Sequence, residues 1–194
     1  MDILITINGK KVSGKKNETV LDAAASIGIE IPTLCHLKGL SPYGGCRLCL
    51  VELISGKRSQ LVASCGYYLK EGLVIETDSP RVKRARALIL ELLIAAMPGS
   101  LEIQRYARQY KVTSTRYKRN LDHCVLCGLC VRYCEEIKKE NCLGFVGRGV
   151  DREVAWVPLS KYEDTCEGCM ECQKFCPTGV FPSNWGVAQN TLAR

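Results

Sequence analysis

Cys124-Val-Leu-Cys127-Gly-Leu-Cys130-Val-Arg-Tyr-Cys134 is followed, about forty residues later, by Cys166-Glu-Gly-Cys169-Met-Glu-Cys172-Gln-Lys-Phe-Cys176-Pro177. Two copies of Cys-x2-Cys-x2-Cys-x3-Cys, the second closed by proline, form the thiolate spacing that holds a pair of cubane iron-sulfur clusters. In such a pair the fourth cysteine of each copy ligates the other cluster, because the chain leaves each loop as a short helix that crosses to the far cubane. One 4Fe-4S cluster is therefore expected on Cys124, Cys127, Cys130 and Cys176, and the other on Cys166, Cys169, Cys172 and Cys134. Gly128 and Gly168 suit tight loops that turn backbone amides towards the sulfides. Pro177 ends the second loop, since proline cannot continue a helical ladder. Glu135 stands where a proline would follow Cys134, which predicts a longer helix there. Zinc is the competing reading for cysteines, but its sites usually consist of two well-separated Cys-x2-Cys pairs.

The 194 residues are 46% hydrophobic and include thirteen cysteines against two histidines, His36 and His123. Such enrichment means disulfides in an oxidising compartment or metal-bound thiolates in a reducing one. Met1-Asp2-Ile3-Leu4-Ile5-Thr6-Ile7 alternates like a strand and lacks the basic stretch and apolar core of an export signal. Reduced, metal-bound thiols and a cytoplasmic location are expected. The longest apolar run, Ala87 to Met97, is broken by Glu91 and is about half of the roughly 20 residues that a membrane span needs. No direct membrane span is expected. The net charge of +7 would suit nucleic acid, an anionic surface or an acidic protein, and a solvated basic surface is the simplest reading.

Residues 1–78 mix β-patterned runs with one helix. Asn8-Gly9 between Ile3–Ile7 and Lys11–Ser13 marks a hairpin turn. Thr19 is placed to cap a helix from Val20 to Ile27 that Gly28 ends. Leu48–Ile54, Leu61–Ser64 and Leu73–Glu76 read as strands. From Ser79-Pro80 the pattern becomes helical, with Val82, Ala85, Leu88, Ile89 and Leu92 as the apolar face and Arg81, Lys83, Arg84 and Arg86 towards solvent. Pro98-Gly99 stops this helix, and a second runs from about Leu101 to Tyr110. The expected architecture is α+β: an N-terminal β-grasp domain over 1–78, a helical bridge over 79–119, and a bacterial-type two-cubane ferredoxin domain with a tail over 120–194.

The N-terminal part has four cysteines of its own, Cys35, Cys46, Cys49 and Cys65. Plant-type 2Fe-2S ferredoxins use Cys-x4-Cys-x2-Cys and a distant fourth cysteine; here ten residues separate Cys35 from Cys46, and the close pair and remote ligand survive. Gly44-Gly45 supplies a permissive backbone before Cys46. Cys142 is left over, and a buried, unreactive thiol is expected. His36 and His123 each adjoin a candidate ligand, with no ligand place left for either to fill. Arg105, Arg108, Lys111, Arg116, Lys118 and Arg119, interleaved with Tyr106, Tyr110 and Tyr117, would in isolation suit a zinc-stabilised nucleic-acid-binding protein. Docking against neighbouring subunits needs fewer assumptions, so no nucleic acid is expected.

The run Pro32-Thr33-Leu34-Cys35-His36 with Gly45-Cys46-Arg47-Leu48-Cys49-Leu50-Val51-Glu52 resembles the N-terminal 2Fe-2S domain of the large iron-sulfur subunit of complex I and its relatives. These relatives include the diaphorase iron-sulfur subunit of NAD(P)-linked nickel-iron (NiFe) hydrogenases and the iron-sulfur subunits of NAD-dependent formate dehydrogenases. Asp122-His123-Cys124 to Arg132, and Leu143-Gly144-Phe145-Val146-Gly147-Arg148-Gly149, are similar to the cubane domain of the same family. The end just after the second motif is most like the short hydrogenase diaphorase subunit. One departure is that Ala96-Met97-Pro98-Gly99-Ser100-Leu101-Glu102-Ile103-Gln104 lacks the loop of one histidine and three cysteines with which the family holds a further 4Fe-4S cluster.

The resemblance implies one 2Fe-2S and two 4Fe-4S clusters, with FMN and NAD(P) on partner subunits. It also implies a relay between a flavoprotein NAD(P)H-oxidising subunit and a NiFe hydrogenase small subunit or other catalytic subunit. A formate dehydrogenase or complex I-like enzyme is the alternative setting. Low-potential clusters would also suit a soluble ferredoxin and electron bifurcation. The chain has no glycine-rich dinucleotide fingerprint and no acid-base or nucleophile arrangement, so no catalytic residue is expected. The missing loop implies that electrons are rerouted or that the 2Fe-2S site lies on a branch.

Overall fold

The structure, a computed structural model, describes residues 2–117, 124–156 and 169–179. Strands β1 (Asp2–Ile7) and β2 (Lys10–Lys15) form an antiparallel hairpin. Its turn places Asn8 at φ 48° and Gly9 at φ 78°, the left-handed pair that a two-residue hairpin requires. Asn8 also binds Thr77, just past the strand that pairs in parallel with β1: its Nδ2 donates to Thr77 Oγ1 and its Oδ1 accepts from Thr77 N–H, both at 2.8 Å. Helix α1 (Val20–Ser26) starts at Thr19, whose hydroxyl accepts from Asp22 N–H at 3.2 Å while the Asp22 carboxylate accepts from Thr19 N–H at 2.9 Å. This reciprocal capping box satisfies two donors that a helix start otherwise leaves unpaired.

Strands β3 (Leu50–Ser55), β4 (Arg58–Ala63) and β5 (Val74–Glu76) complete a five-stranded sheet ordered β2-β1-β5-β3-β4, in which β1 and β5 are parallel. Val20, Ala23 and Ala24 of α1 lie on Ile5, Ile7, Val51 and Ile75 of the sheet. The sheet holding one helix is the expected β-grasp arrangement, and Cys49 and Cys65 are members of its core.

Helix α2 (Pro80–Ala96) begins at Ser79, whose hydroxyl accepts from Val82 N–H at 3.2 Å, and α3 (Leu101–Gln109) begins at Ser100. The expected face of α2 is rotated. Val82, Arg86, Leu90 and Ile94 are buried, whereas Leu88 is 40% and Leu92 48% exposed. Arg86 is thus not a solvent residue. Its Nη2 donates to Leu50 O and its Nη1 to Tyr110 Oη, both at 2.6 Å. Arg86→Met would leave those two oxygens without a donor, at about 1–3 kcal/mol. A lower urea midpoint at unchanged slope is the expected result.

Leu90, Ile94, Ile103 and Tyr106 pack with Leu34 and Leu48, the residues just before Cys35 and Cys49, so the helical bridge is the floor on which the N-terminal cysteine loops rest. Helix α4 (Leu129–Arg132) continues as a π-helical segment, Tyr133–Lys138. Glu135, in the place of the usual proline, leaves that continuation open, as expected. A second hairpin, β6 (Leu143–Val146) with β7 (Glu153–Trp156), forms its own two-stranded sheet. Among the described residues no helix is long and apolar enough to cross a membrane.

Candidate metal centres

The four N-terminal cysteines arrive from three places. Cys35 lies on the long connection after α1, Cys46 and Cys49 on the approach to β3, and Cys65 in a 3₁₀ turn after β4. The approach to β3 bends sharply: Gly44 has φ 65° and Arg47, without a glycine's freedom, φ 59°. A Cβ on Gly45 would come within 2.3 Å of Tyr43 Cε1, so close approach, not φ, requires glycine there.

The thiols stand as two pairs. Cys49 Sγ and Cys65 Sγ are 3.4 Å apart, and Cys46 N–H donates to Cys35 Sγ at 3.4 Å. The former distance is well beyond a disulfide bond. Among the described residues no three His, Cys, Asp or Glu side chains converge tightly enough for a single ion. Paired thiols suit a binuclear cluster, in which each iron takes two. Hydrogen bonding divides each pair: the bond with Cys35 lowers Cys46 to about 6, and the bond with Cys65 lowers Cys49 to about 7. The thiol contacts with Cys46 and Cys49, and then burial, push Cys35 and Cys65 up. Each pair thus favours one thiolate, and iron would hold both members deprotonated.

In the C-terminal part Cys176 lies within electrostatic reach of Cys124, Cys127 and Cys172, and it packs with Cys130 on the cluster of Leu143 and Cys172. Burial, with the neighbouring thiols Cys124, Cys176 and Cys46, pushes Cys127 up to about 12. Burial and then Cys176 push Cys124 up, and burial followed by Cys127, Cys172 and Cys124 pushes Cys130 up. Cys134, Cys169 and Cys172 line a cavity of about 180 Å³; burial followed by Cys134 and Cys169 pushes Cys172 up to about 11. Cys166 lies outside the described residues. Thiols whose ionisation burial disfavours are suited to a cationic iron centre that stabilises thiolate.

The loops carry the geometry that cluster binding needs. Leu126 N–H donates to Cys124 Sγ at 3.3 Å and Cys142 N–H to Cys134 Sγ at 3.2 Å. Gly128 has φ 68°, and Met170, its counterpart in the second copy, φ 45°. The two glycines read from sequence occupy different register positions: Gly168 matches Leu126, which has φ 52°, and itself lies outside the described residues. Ser100 serves two loops, because its hydroxyl caps α3 through Ile103 N–H at 3.3 Å and donates to Pro177 O at 2.6 Å. The start of α3, where the resembled family's loop of one histidine and three cysteines is missing, therefore holds the turn that follows Cys176.

Cys35, Leu40, Cys127 and Leu129 share one apolar cluster, with Tyr43 and Cys46 packed on it. The Tyr43 and Phe145 rings stack across it at 6.1 Å and 10°. A Cβ on Gly128 would meet Phe145 Cζ at 3.1 Å and Tyr43 Cε1 at 3.4 Å. The 2Fe-2S candidate and the first cubane candidate are thus packed directly on one another. Sequence reading missed Tyr43, Arg132 and the Cys142 amide. Cys142 is 2% exposed, as expected, yet it borders the second cubane cavity. His36 is half-buried, and burial lowers its pKa. His123, Lys118 and Arg119 lie outside the described residues. Within the basic segment Tyr106 is a core residue, and Arg105 and Arg116 pair with Glu102 and Glu91 at 2.7 and 3.2 Å.

Comparison with known proteins gives a 2Fe-2S iron-sulfur cluster binding domain over residues 1–80 and a 4Fe-4S dicluster domain over residues 123–180. The NADP-reducing hydrogenase subunit HndD of Solidesulfovibrio fructosivorans is 33% identical over 221 residues, which cover 96% of this chain and 37% of that protein. The NADH-ubiquinone oxidoreductase 75 kDa subunit of Reclinomonas americana is 32% identical over 204 residues, 92% of this chain and 29% of that protein. The chain therefore spans only 29% to 37% of the length of these two relatives. Among solved structures, a chain of an NAD+-reducing NiFe hydrogenase in the H2-reduced state superposes with a TM-score of 0.70 at 28% identity, over 81% of this chain and 76% of that one.

Proposed function

We propose that this chain, an iron-sulfur protein homologous to the 75 kDa subunit of NADH-ubiquinone oxidoreductase and to hydrogenase subunit HndD, relays single electrons inside a multisubunit NAD(P)-linked hydrogenase. One observation carries the reading: a 2Fe-2S domain and a 4Fe-4S dicluster domain in one chain, with Cys46 of the first packed beside Cys127 of the second. The ligand sets are Cys35, Cys46, Cys49 and Cys65 for the 2Fe-2S cluster, Cys124, Cys127, Cys130 and Cys176 for the first 4Fe-4S cluster, and Cys134, Cys166, Cys169 and Cys172 for the second. When bound, the clusters supply one-electron storage. The chain's own residues hold the thiolates, direct amides to Cys35, Cys124 and Cys134, and stack the Tyr43 and Phe145 rings.

In this reading residues 1–78 are the entry or exit domain, 79–119 the bridge and 120–194 the cubane domain. The direct packing supports a route that does without the missing loop. FMN and NAD(P) belong to a flavoprotein partner, and the far end meets a NiFe hydrogenase small subunit or another catalytic subunit, in the cytoplasm. The test is anaerobic purification from native cells. About ten irons per chain, two plus four plus four, without stoichiometric zinc, is the expected content, together with co-purifying flavoprotein and hydrogenase subunits. Zinc in place of iron would sink the relay reading. A molybdenum or tungsten partner would move the relay to formate.

A further inference from the structure

Arg132 sits in α4 between Cys130 and Cys134 and is 8% exposed. Its Nη2 donates to the carbonyl of Cys35 at 2.6 Å and its Nη1 to the carbonyl of Ser41 at 2.5 Å. The Tyr43 ring lies 5.2 Å from the guanidinium. Its Nε has no hydrogen-bond partner among the described residues, and none of the ion pairs found among them includes it. One turn further on, the Glu136 carboxylate accepts from Ser41 N–H at 2.6 Å and from Ser41 Oγ at 3.0 Å. One helical stretch therefore grips the segment from Cys35 to Ser41 with a buried cation and a half-buried anion.

A guanidinium stays charged at every accessible pH. Burying it beside neutral carbonyls alone carries a large desolvation cost. The thiolates of the 2Fe-2S site, whose Cys35 carbonyl it holds, and those of the first 4Fe-4S site, whose Cys130 precedes it by two residues on α4, would supply the missing negative charge. We propose that Arg132 is a positioning residue shared by the 2Fe-2S site and the first 4Fe-4S site. It fixes their separation, and its charge raises the reduction potential of both. This rests on the cluster reading given above. The sign follows from charge: reduction adds one electron to a cluster with no bond made or broken, and a nearby fixed cation stabilises the more negative form.

The test is a redox titration followed by electron paramagnetic resonance on the intact complex. Arg132→Met should keep about ten irons and move both potentials down by about tenfold in the reduction equilibrium, which is about 59 mV for a one-electron couple. Arg132→Lys keeps the charge and should restore the potentials, while remaining less stable because one ammonium does not span two carbonyls. Glu136→Gln keeps an acceptor for Ser41 but removes the anion, so the 2Fe-2S potential should rise. Full iron with unshifted potentials in Arg132→Met overturns the proposal, as does a downward or absent shift in Glu136→Gln. Should Arg132→Met lose its iron, Arg132→Lys and Glu136→Gln decide alone by the same signs. A wild-type chain without iron would instead overturn the cluster reading, which keeps the two failures distinct.

Discussion

Cys176→Ser should remove the first 4Fe-4S cluster and leave the second. The repeated motif implies that Cys176 ligates the cluster of the first copy, not that of its near neighbours Cys169 and Cys172. Cys176 lies within electrostatic reach of Cys124 and Cys127, and Cys172 within reach of Cys134 and Cys169 as well as Cys176, a placement compatible with crossed ligation. Cys176 is held there from outside the motif: Ser100 Oγ donates to the carbonyl of Pro177 at 2.6 Å, and Cys176 Sγ lies 3.4 Å from Thr178 Oγ1. A serine oxygen is a harder and less readily ionised donor than a thiolate. Iron should fall from about ten to about six per chain, with the 2Fe-2S signal and one 4Fe-4S signal retained. Electron paramagnetic resonance with relaxation-resolved spectra distinguishes the two cubanes. Loss of the Cys134–Cys169–Cys172 cluster with survival of the other would show that the ligands do not cross.

Some of this arrangement is legible in the residues because local chemistry dictates it. Asn8-Gly9 accepts two positive φ values at little cost, so the first hairpin is readable before any tertiary contact is known. Thr19 and Ser79 cap their helices for the same local reason. Cluster spacing is legible because thiolates on one cluster must lie within a few ångströms of one another. Helix α2 was harder. Apolar residues occupy nearly every position from Ala87 to Ala96, so periodicity barely prefers one face, and the partner surface of Leu34, Leu48 and Ile103 makes the choice. The two buried arginines escaped for a related reason. Arg86 and Arg132 are inside because carbonyls distant in sequence, Leu50 O and Cys35 O, receive them. Nothing next to either residue announces that. Arg47, Leu126 and Met170 were also hidden, since a left-handed backbone is expected at glycine and not at bulky residues.

Cys46→Ala and Cys65→Ala should abolish the 2Fe-2S signal equally and damage the fold unequally. Each removes one thiolate from an iron that has only two from the protein, so iron should fall from about ten to about eight in both variants. NAD(P)H-driven reduction of the cubanes should stop in both if electrons pass through this site; unchanged reduction would place the 2Fe-2S cluster on a branch. Stability separates the two, because their surroundings differ. Cys65 is 1% exposed inside the β-grasp core with Cys49, Val20 and Leu69, and deleting its sulfur leaves a hole that the sheet and α1 cannot readily close. Cys46 is only partly buried and packs at the margin of two smaller clusters, where neighbouring side chains and solvent adjust. The extra cost for Cys65→Ala is about 1–2 kcal/mol, seen as a lower urea midpoint than that of Cys46→Ala when both lack the cluster. Equal midpoints would mean that the thiol of Cys65 contributes through iron alone and that the core around it is looser than its burial indicates.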